Sequence, residues 1–263
     1  MNWLKQGLAG AGERLRVTVP SHTALLTDVE QRLAAGQGFS IATLNLDHVV
    51  KLRHQPAFRQ AYLEHTHVTA DGNPIVWLCR LSGEDVSLVP GSELITPVIE
   101  RAVQHGVPIA MFGATQASLD ATAAALEARY GAEGIKIAAK LAPPMGFDPA
   151  GAEADRYIAE LGASGAGVCF LALGAPKQEI FASRAQKELP QMGFLSIGAG
   201  LDFISGHQKR APRLVRRFAL EWLWRLALSP KRLIGRYLGC FAVLPGLTWA
   251  ALKARRGKGV EAL

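Results

Sequence analysis

Apolar runs alternate with amphipathic segments between residues 39 and 199. The apolar runs predict buried strands at 39–45, 66–70, 108–113, 135–141, 167–173 and 193–199. The segments between them predict helices at 47–64, 74–82, 92–105, 116–130, 150–162 and 177–189, with Pro56 as a candidate break in the first. Because buried strands that alternate with helices are typical of sheets covered on both faces, we predict an α/β fold with a Rossmann-like, mostly parallel sheet.

The pattern changes toward the end of the chain. Apolar and basic residues follow helical spacing from 213 to 236, and the stretch 237–252 is strongly apolar. Pro245 and Gly246 interrupt this stretch, which is shorter than the ~20 apolar residues that a spanning helix needs. We therefore interpret it as an interfacial or docked helix.

Positive charge is concentrated in the same region. Residues 209–263 carry 13 Lys or Arg against 2 Asp or Glu, whereas residues 1–208 carry 16 against 20. We predict a Rossmann-like domain over 1–208 and a basic, amphipathic C-terminal helical appendage over 209–263. Such asymmetry indicates an anionic partner, which is a membrane surface, a nucleic acid or a polyphosphate.

The cysteines and the first residues bear on the compartment. Cys79, Cys169 and Cys240 lie far apart without redox or metal spacing, which favours free thiols in a reducing compartment. The first twenty residues lack the long apolar core of a signal peptide. We expect a cytoplasmic protein.

Glycines and polar residues gather where the predicted strands end. Ligands of open α/β sheets bind beyond the carboxyl ends of the strands, so we expect these positions to share one rim. The candidates are Thr43, Asn45, Asp71, Gly72, Gly113, Ala114, Gly174, Lys177, Gln178, Gly200 and Asp202.

Asp71 has two interpretations. A carboxylate after a strand could accept a proton from a substrate hydroxyl as a general base. Asp is also a favoured N-cap residue, and by spacing alone a cap on the next helix is the more common role.

The glycine-rich segments exclude two common nucleotide motifs. Residues 174–179 could bind phosphate at a helix start or form a simple turn with Pro at the helix start, but they lack P-loop spacing. Residues 198–203 lack the third glycine of a dinucleotide fingerprint, which weakens an oxidoreductase interpretation. The histidines show no zinc-site spacing and the chain has no D-x-D pair, so we expect no cofactor and no metal.

An ordered series of motifs resembles one known family. The motifs are T-x-N (43–45), A-D-G-x-P (70–74), V-P-G-S-E-L (89–94), F-G-A (112–114), G-A-P-K-Q-E (174–179), G-A-G-L-D-F-I-S-G (198–206), R-A-P (210–212), E-W-L-W-R-L (221–226) and P-K-R-L-x-x-R-Y (230–237). Together they resemble the WecG/TagA/CpsF glycosyltransferases, or glycosyltransferase family 26, which include GumM-like exopolysaccharide enzymes.

The resemblance implies an inverting, metal-independent transfer of a hexose from a UDP-sugar to a sugar on a polyprenyl diphosphate. Asp71 matches the family's catalytic base, and this match favours the general-base interpretation over the N-cap. Thr43 and Asn45 match residues near the active site. Gln178 and Asp202 match the nucleotide-sugar pocket. Family members also have a C-terminal appendage that closes over this pocket and engages the membrane. Arg225, Arg232 and Arg236 match arginines of this appendage.

One departure and two alternatives remain. Many family members carry Arg where this chain has Leu88. The alternatives are a nucleotide-dependent oxidoreductase and a non-catalytic protein that binds membranes or nucleic acid. We expect peripheral association with the anionic inner face of the cell membrane and no nucleic-acid partner. The sequence leaves a homo-oligomer open, and it does not distinguish UDP-glucose from UDP-N-acetylmannosamine as donor.

Overall fold

A computed structural model of the protein describes residues 1–4, 14–204, 206 and 221–261. The structure does not describe the side chains of Asp202, Glu221, Arg225, Leu228 and Arg232, or the side chains of residues 257–261. A parallel six-stranded sheet forms the centre, with the order β2-β1-β6-β5-β3-β4. Its strands are β1 (Phe39–Leu44), β2 (His67–Ala70), β3 (Ile109–Gly113), β4 (Ile137–Leu141), β5 (Val168–Ala172) and β6 (Gly193–Ser196).

Helices occupy most of the segments between the strands, and they also form the described C-terminal region. They are α1 (His22–Ala34), α2 (Leu46–His54), α3 (Pro56–Glu64), α4 (Asn73–Leu81), α5 (Gly91–Gln104), α6 (Gln116–Tyr130), α7 (Ala152–Ala163), α8 (Lys177–Glu188), α9 (Gly200–Ile204), α10 (Glu221–Leu228) and α11 (Pro230–Glu261). A short 3₁₀ turn, Gly131–Glu133, follows α6. The predicted α/β fold with a Rossmann-like parallel sheet and a C-terminal helix is therefore confirmed.

Alternate residues of the central strands pack into different cores. Ile109 and Met111 of β3 lie in a cluster with apolar side chains of α1, α5 and α6. Ala110 and Phe112 lie in a second cluster with α7 and α8. Because successive strand side chains point to opposite faces, this separation shows that helices cover both faces of the sheet.

The chain leaves β3 and β5 toward opposite faces. Helix α6, which follows β3, packs in the first cluster, and α8, which follows β5, packs in the second. These two strands are neighbours in the sheet. Their loops therefore diverge and open a crevice at the carboxyl edge, which is the usual ligand position in doubly wound sheets.

Two helical details differ from the prediction. The predicted helix 47–64 is two helices, because α2 ends at His54 and Pro56 occupies the first turn of α3, where its missing N–H costs nothing. Helix α1 was not predicted. Its signal was a Ser21 side chain that caps Ala24 N–H, followed by buried Leu25 and Val29 one turn apart.

The C-terminal helix α11 is continuous through Pro245. Leu233, Cys240, Leu247 and Ala251 form its buried side, and the helix packs against α2 and α4. The segment Leu233–Arg256 is long and apolar enough, by length and mean hydropathy of 1.3, to cross a membrane.

The C-terminal helix also shares a core with the rest of the chain. Leu247 and Ala251 belong to the same cluster as Trp3, Val49 and Cys79. The predicted domain boundary between 208 and 209 falls in a segment, 207–220, that lies outside the described residues.

Candidate active site

The end of β1 places Thr43 and Asn45 at the rim of the sheet. Thr43 is buried, and the Oδ1 of Asn45 accepts a hydrogen bond from His48 N at 3.0 Å as the N-cap of α2. Gly91, the first residue of α5, lies so close that an added Cβ would stand 3.2 Å from Thr43 Cγ2. The V-P-G turn that begins α5 is thus packed directly against the end of β1.

Asp71 follows β2 beside this position. Its backbone N–H donates to the Leu44 carbonyl oxygen at 2.8 Å, which fixes it next to the end of β1. The N-cap of α4 is Gly72, whose φ of +110° lies in the left-handed region that favours glycine. The interpretation of Asp71 as the N-cap is therefore wrong. Leu88, at the position where many relatives carry Arg, is 38% exposed.

A cleft of about 280 Å³ opens where β3, β5 and β6 end. Its lining comprises Ala114, Thr115, Ala172, Leu173, Gly174, Gly198, Ala199 and Leu201. The cleft occupies the crevice that the diverging chain paths create. Small side chains and backbone dominate its walls, so a ligand there meets mainly peptide groups and methyl groups.

Gly113 allows the β3 and β5 ends to approach each other at this cleft. An added Cβ would lie 2.6 Å from the Ala172 carbonyl carbon, and the φ of Gly113 is +107°. The next residue, Ala114, also has a positive φ, of 60°. Only glycine fits the first of these positions, because both the left-handed backbone and the backbone contact exclude a side chain. Gly200, another candidate, begins α9 beside Ile95 of α5.

Gly174 lies in the loop between β5 and α8, and Lys177 and Gln178 are the first two residues of α8. Gln178 is buried, its Oε1 accepts from Gly198 N at 3.0 Å, and its Nε2 donates to Glu179 Oε1 at 2.9 Å. Both ends of the amide are thus engaged within the protein. Gln178 connects the loop after β5 with the loop after β6, and both of these loops line the cleft.

A buried polar cluster lies behind the rim. Tyr62 Oη donates to the Thr43 carbonyl oxygen at 3.1 Å and lies 2.6 Å from His48 Nδ1. Since the phenol has one proton and the carbonyl can only accept, Nδ1 of His48 carries the proton shared with Oη. Burial, followed by the nearby Lys51 charge, lowers the pKa of His48 to about 3, so this imidazole is neutral at physiological pH.

Glu179 is a fully buried carboxyl within the same cluster. Burial raises its pKa to about 7, while the Gln178 amide and the Lys51 ammonium act in the opposite direction. Its Oε2 has no hydrogen-bond partner among the described residues. The group therefore titrates near neutral pH.

Arg236 is the only predicted arginine whose side chain is described. Its Nε lies 2.9 Å from Asp47 Oδ1, on the first turn of α2. Lys51 Nζ lies 2.8 Å from Asp47 Oδ2 and donates to the Ala175 carbonyl oxygen at 3.0 Å. The side chains of Asp202, Arg225 and Arg232 lie outside the described part of the chain, so their predicted roles stay predictions.

Sequence reasoning did not identify the supporting residues Asp47, Lys51, Tyr62 and Glu179. One signal was available, because Asp47 and Lys51 are spaced i, i+4 directly after the T-x-N motif. Tyr62 and Glu179 gave no such signal, since their roles depend on contacts between distant segments.

The rim brings a carboxylate and a cleft to one edge of the sheet. Between the end of β2, which Asp71 follows, and the end of β5 at the middle of the cleft lie β1 and β6, and the loop after β6 forms the near wall of the cleft. Neighbouring strands lie ~4.8 Å apart, so the ends of β2 and β5 are about 14 Å apart. In the described parts of the chain, no three His, Cys, Asp or Glu side chains form a group that could hold a metal ion.

A family comparison agrees with this arrangement. The model of the glycosyl transferase WecG/TagA/CpsF family matches residues 13–259 of the 263-residue chain. This family comprises glycosyltransferases of cell-envelope polysaccharide synthesis. With the match spanning the strand-end rim, the cleft and the C-terminal helices alike, the chain belongs to the WecG/TagA/CpsF family of glycosyltransferases.

Proposed function

We propose that the protein transfers a hexose from a UDP-sugar to a sugar on a polyprenyl diphosphate, with inversion and without a metal. The observation that carries this proposal is the position of Asp71 and the cleft on one rim, about three strand spacings apart. A nucleoside in the cleft would direct its diphosphate across the ends of β6 and β1. The anomeric carbon would then lie near Asp71.

In this scheme Asp71 acts as the general base. It removes the proton from the acceptor hydroxyl while that oxygen forms a bond to the anomeric carbon, and the bond from this carbon to the UDP oxygen breaks. Thr43 and Asn45 lie on the neighbouring strand end and shape the acceptor side of the rim. Backbone N–H groups and the arginines of the C-terminal helices supply positive charge for the leaving diphosphate.

The C-terminal helices offer a surface for the membrane that holds such an acceptor. Ile234, Leu238, Phe241, Trp249 and Leu252 of α11 are exposed. At 100° per residue they fall within an arc of about 80° that is centred roughly 125° away from the buried side, and they extend over about 27 Å. We call this set the lipid-facing stripe.

Helix α10 widens the stripe. Trp222, itself 39% exposed, packs edge-to-face on Phe241 with ring centroids 5.7 Å apart. Lys231, Lys253, Arg255 and Arg256 lie on the same helix as the stripe. Aromatic and aliphatic side chains flanked by basic ones are typical of helices that bind anionic bilayers.

The packing of α11 favours a helix that lies in the plane of the interface. Leu247 and Ala251 are buried against the α/β core, and a helix that spans a bilayer could not keep those contacts. The protein is thus proposed to bind the membrane peripherally. We propose the cytoplasmic leaflet, because its anionic lipids attract Lys and Arg.

A donor screen with the purified full-length chain tests the function. UDP-glucose and UDP-N-acetylmannosamine are each incubated with a short-chain polyprenyl diphosphate that carries one sugar. We expect one donor to yield a disaccharide with one UDP released per transfer, and with the opposite anomeric configuration to the donor. A chain that binds UDP but forms no product with any UDP-sugar would contradict the proposal.

A further inference from the structure

A continuous series of polar contacts joins α11 to the wall of the cleft. Arg236 Nε contacts Asp47 Oδ1 at 2.9 Å, and Asp47 Oδ2 contacts Lys51 Nζ at 2.8 Å. Lys51 Nζ then donates to the Ala175 carbonyl oxygen at 3.0 Å. Ala175 directly follows Gly174, which lines the cleft. Three contacts therefore connect the helix that carries the lipid-facing stripe with the cleft.

The same loop is held from its other side. Gln178, in the first turn of α8, accepts from Gly198 N, and Gly198 also lines the cleft. The segment from Ala175 to Gln178 is therefore in contact with Lys51 on one side and with the Gly198 wall of the cleft on the other. The loop between β5 and α8 is the element on which both sets of contacts act.

These contacts are specific rather than diffuse. The Asp47 carboxylate is only 12% exposed and Lys51 is 27% exposed, whereas Arg236 is 44% exposed, so the Asp47–Lys51 contact is the better shielded from water of the two. The Arg236–Asp47 pair is an ion pair that joins the C-terminal helix α11 to α2. The buried side of α11 is otherwise apolar, apart from the Cys240 thiol.

We propose that Asp47 and Lys51 are positioning residues that couple the docking of α11 on an anionic membrane to nucleotide binding in the cleft. The inference rests on the proposed function, since it uses both the lipid-facing stripe and the cleft. When α11 is fixed at the interface, Arg236 holds Asp47, and Asp47 orients the Lys51 ammonium toward the Ala175 carbonyl. The cleft is then held in the shape that binds the nucleotide.

Calorimetry of UDP binding, with and without vesicles of phosphatidylcholine and phosphatidylglycerol, tests this coupling. We expect vesicles to tighten UDP binding to the unmodified chain by about 10-fold, the lower end of the range for one charge-assisted hydrogen bond. Asp47→Asn and Lys51→Met should lose most of this gain. Both should still sediment with vesicles, because the lipid-facing stripe is unchanged. Lys51→Arg keeps the charge and the donors and should retain the gain.

A matched control removes an ion pair elsewhere. Arg156→Gln breaks the exposed contact with Glu153 on α7 and should leave the gain unchanged. Amide exchange gives a second measurement that does not depend on UDP. The Gln178 and Ile180 amides bond to the Gly174 and Pro176 carbonyls, and vesicles should slow their exchange in the unmodified chain but not in Lys51→Met.

The outcomes separate the two proposals. An equal vesicle-dependent gain in Asp47→Asn, Lys51→Met and the unmodified chain would overturn the coupling and leave the proposed function standing. So would an unmodified chain that binds UDP and vesicles independently. A chain that binds neither UDP nor vesicles would overturn the proposed function itself. If Asp47→Asn does not fold, Lys51→Met and the exchange measurement decide.

Discussion

The Asp71 N–H donates to the Leu44 carbonyl oxygen at 2.8 Å, which ties the proposed base to the end of the neighbouring strand. This hydrogen bond is made by the backbone of Asp71 and not by its side chain. A change at the carboxylate can therefore be separated from a change in the position of the loop.

Asp71→Asn should lower turnover by about 100-fold or more, because the amide keeps the shape but cannot accept the proton. UDP binding, measured by calorimetry, should change little. Asp85→Asn is the matched control, since Asp85 is almost fully exposed nearby in the chain. A folded Asp71→Asn protein with near-normal turnover would remove this residue from the role of base.

Excess EDTA should leave the transfer rate unchanged. The prediction follows from the missing D-x-D pair in the sequence and from the use of backbone N–H groups and arginines to hold the diphosphate. The measurement is the initial rate of UDP release before and after chelation. Loss of activity that magnesium or manganese restores would show that the diphosphate is held in another way.

Gly113→Ala should destabilise the protein and weaken UDP binding together. A Cβ at this position would stand 2.6 Å from the backbone of Ala172 in a left-handed conformation, at a cost of about 1–3 kcal/mol or more. Thermal unfolding and calorimetry measure the two effects. Gly131→Ala is the control, because an added Cβ meets no atom within 4 Å there. Equal melting temperatures for the two variants would contradict this account of the cleft.

The two sides of α11 should respond differently to the same substitution. Trp249→Ser, on the lipid-facing stripe, should weaken co-sedimentation with anionic vesicles and leave the melting temperature nearly unchanged. Leu247→Ser, on the buried side, should lower stability by about 2–5 kcal/mol through lost packing. The proposed orientation of the helix would be wrong if Leu247→Ser, rather than Trp249→Ser, selectively reduced vesicle binding.

Glu179 should give the protein a distinct pH dependence near neutrality. Burial raises its pKa from 4.5 to about 7, so the folded chain binds a proton between these values that the unfolded chain has released. The contribution of Glu179 to the free energy of unfolding should therefore decrease as the pH rises from about 5 to 7, by an amount on the order of 1–3 kcal/mol. Buried His48 and His65, whose pKa values are lowered to about 3 and about 4, contribute in the opposite direction up to about pH 6.5, so the Glu179 contribution is measured as the difference from a Glu179→Gln variant.

Glu179→Gln should remove this decrease, while its amide oxygen can still accept from Gln178. Denaturant titrations of both proteins across this pH range provide the measurement. Despite partial burial, hydrogen bonds from Gln60, Lys187 and Ser183 lower the pKa of Glu64 to about 2. Its titration therefore affects the free energy of unfolding only below about pH 4.5 and does not overlap with the titration of Glu179. Identical pH profiles for the two proteins would contradict a neutral, buried Glu179.

The sequence predicted the sheet well because its strands are continuous apolar runs bounded by glycine and polar residues. It also predicted that Thr43, Asp71 and Gly113 would lie at strand ends, since a parallel sheet places those ends on one edge. The strand predicted at 193–199 ends at Ser196, because the following residues turn to line the cleft.

Other features depend on tertiary contacts that no local pattern encodes. Pro245 disfavours a helix by local propensity, yet α11 continues because Leu247 and Ala251 beyond it are buried against the core. Arg236 contacts Asp47, a residue 189 positions earlier in the chain, and its predicted role at the diphosphate stays a prediction. The resemblance to the family gave no indication of this partner.

The strand order also sets the length of donor that fits the site. The ends of β5 and β2 lie about 14 Å apart. Under the proposed function, this spacing fixes the distance from the uracil end of the donor, in the cleft, to the reacting carbon beside Asp71. A donor with one phosphate instead of two would place its sugar one bridging unit short of that carboxylate. The sheet would thereby select nucleoside diphosphate sugars over nucleoside monophosphate sugars by length, before any side chain recognises the phosphates.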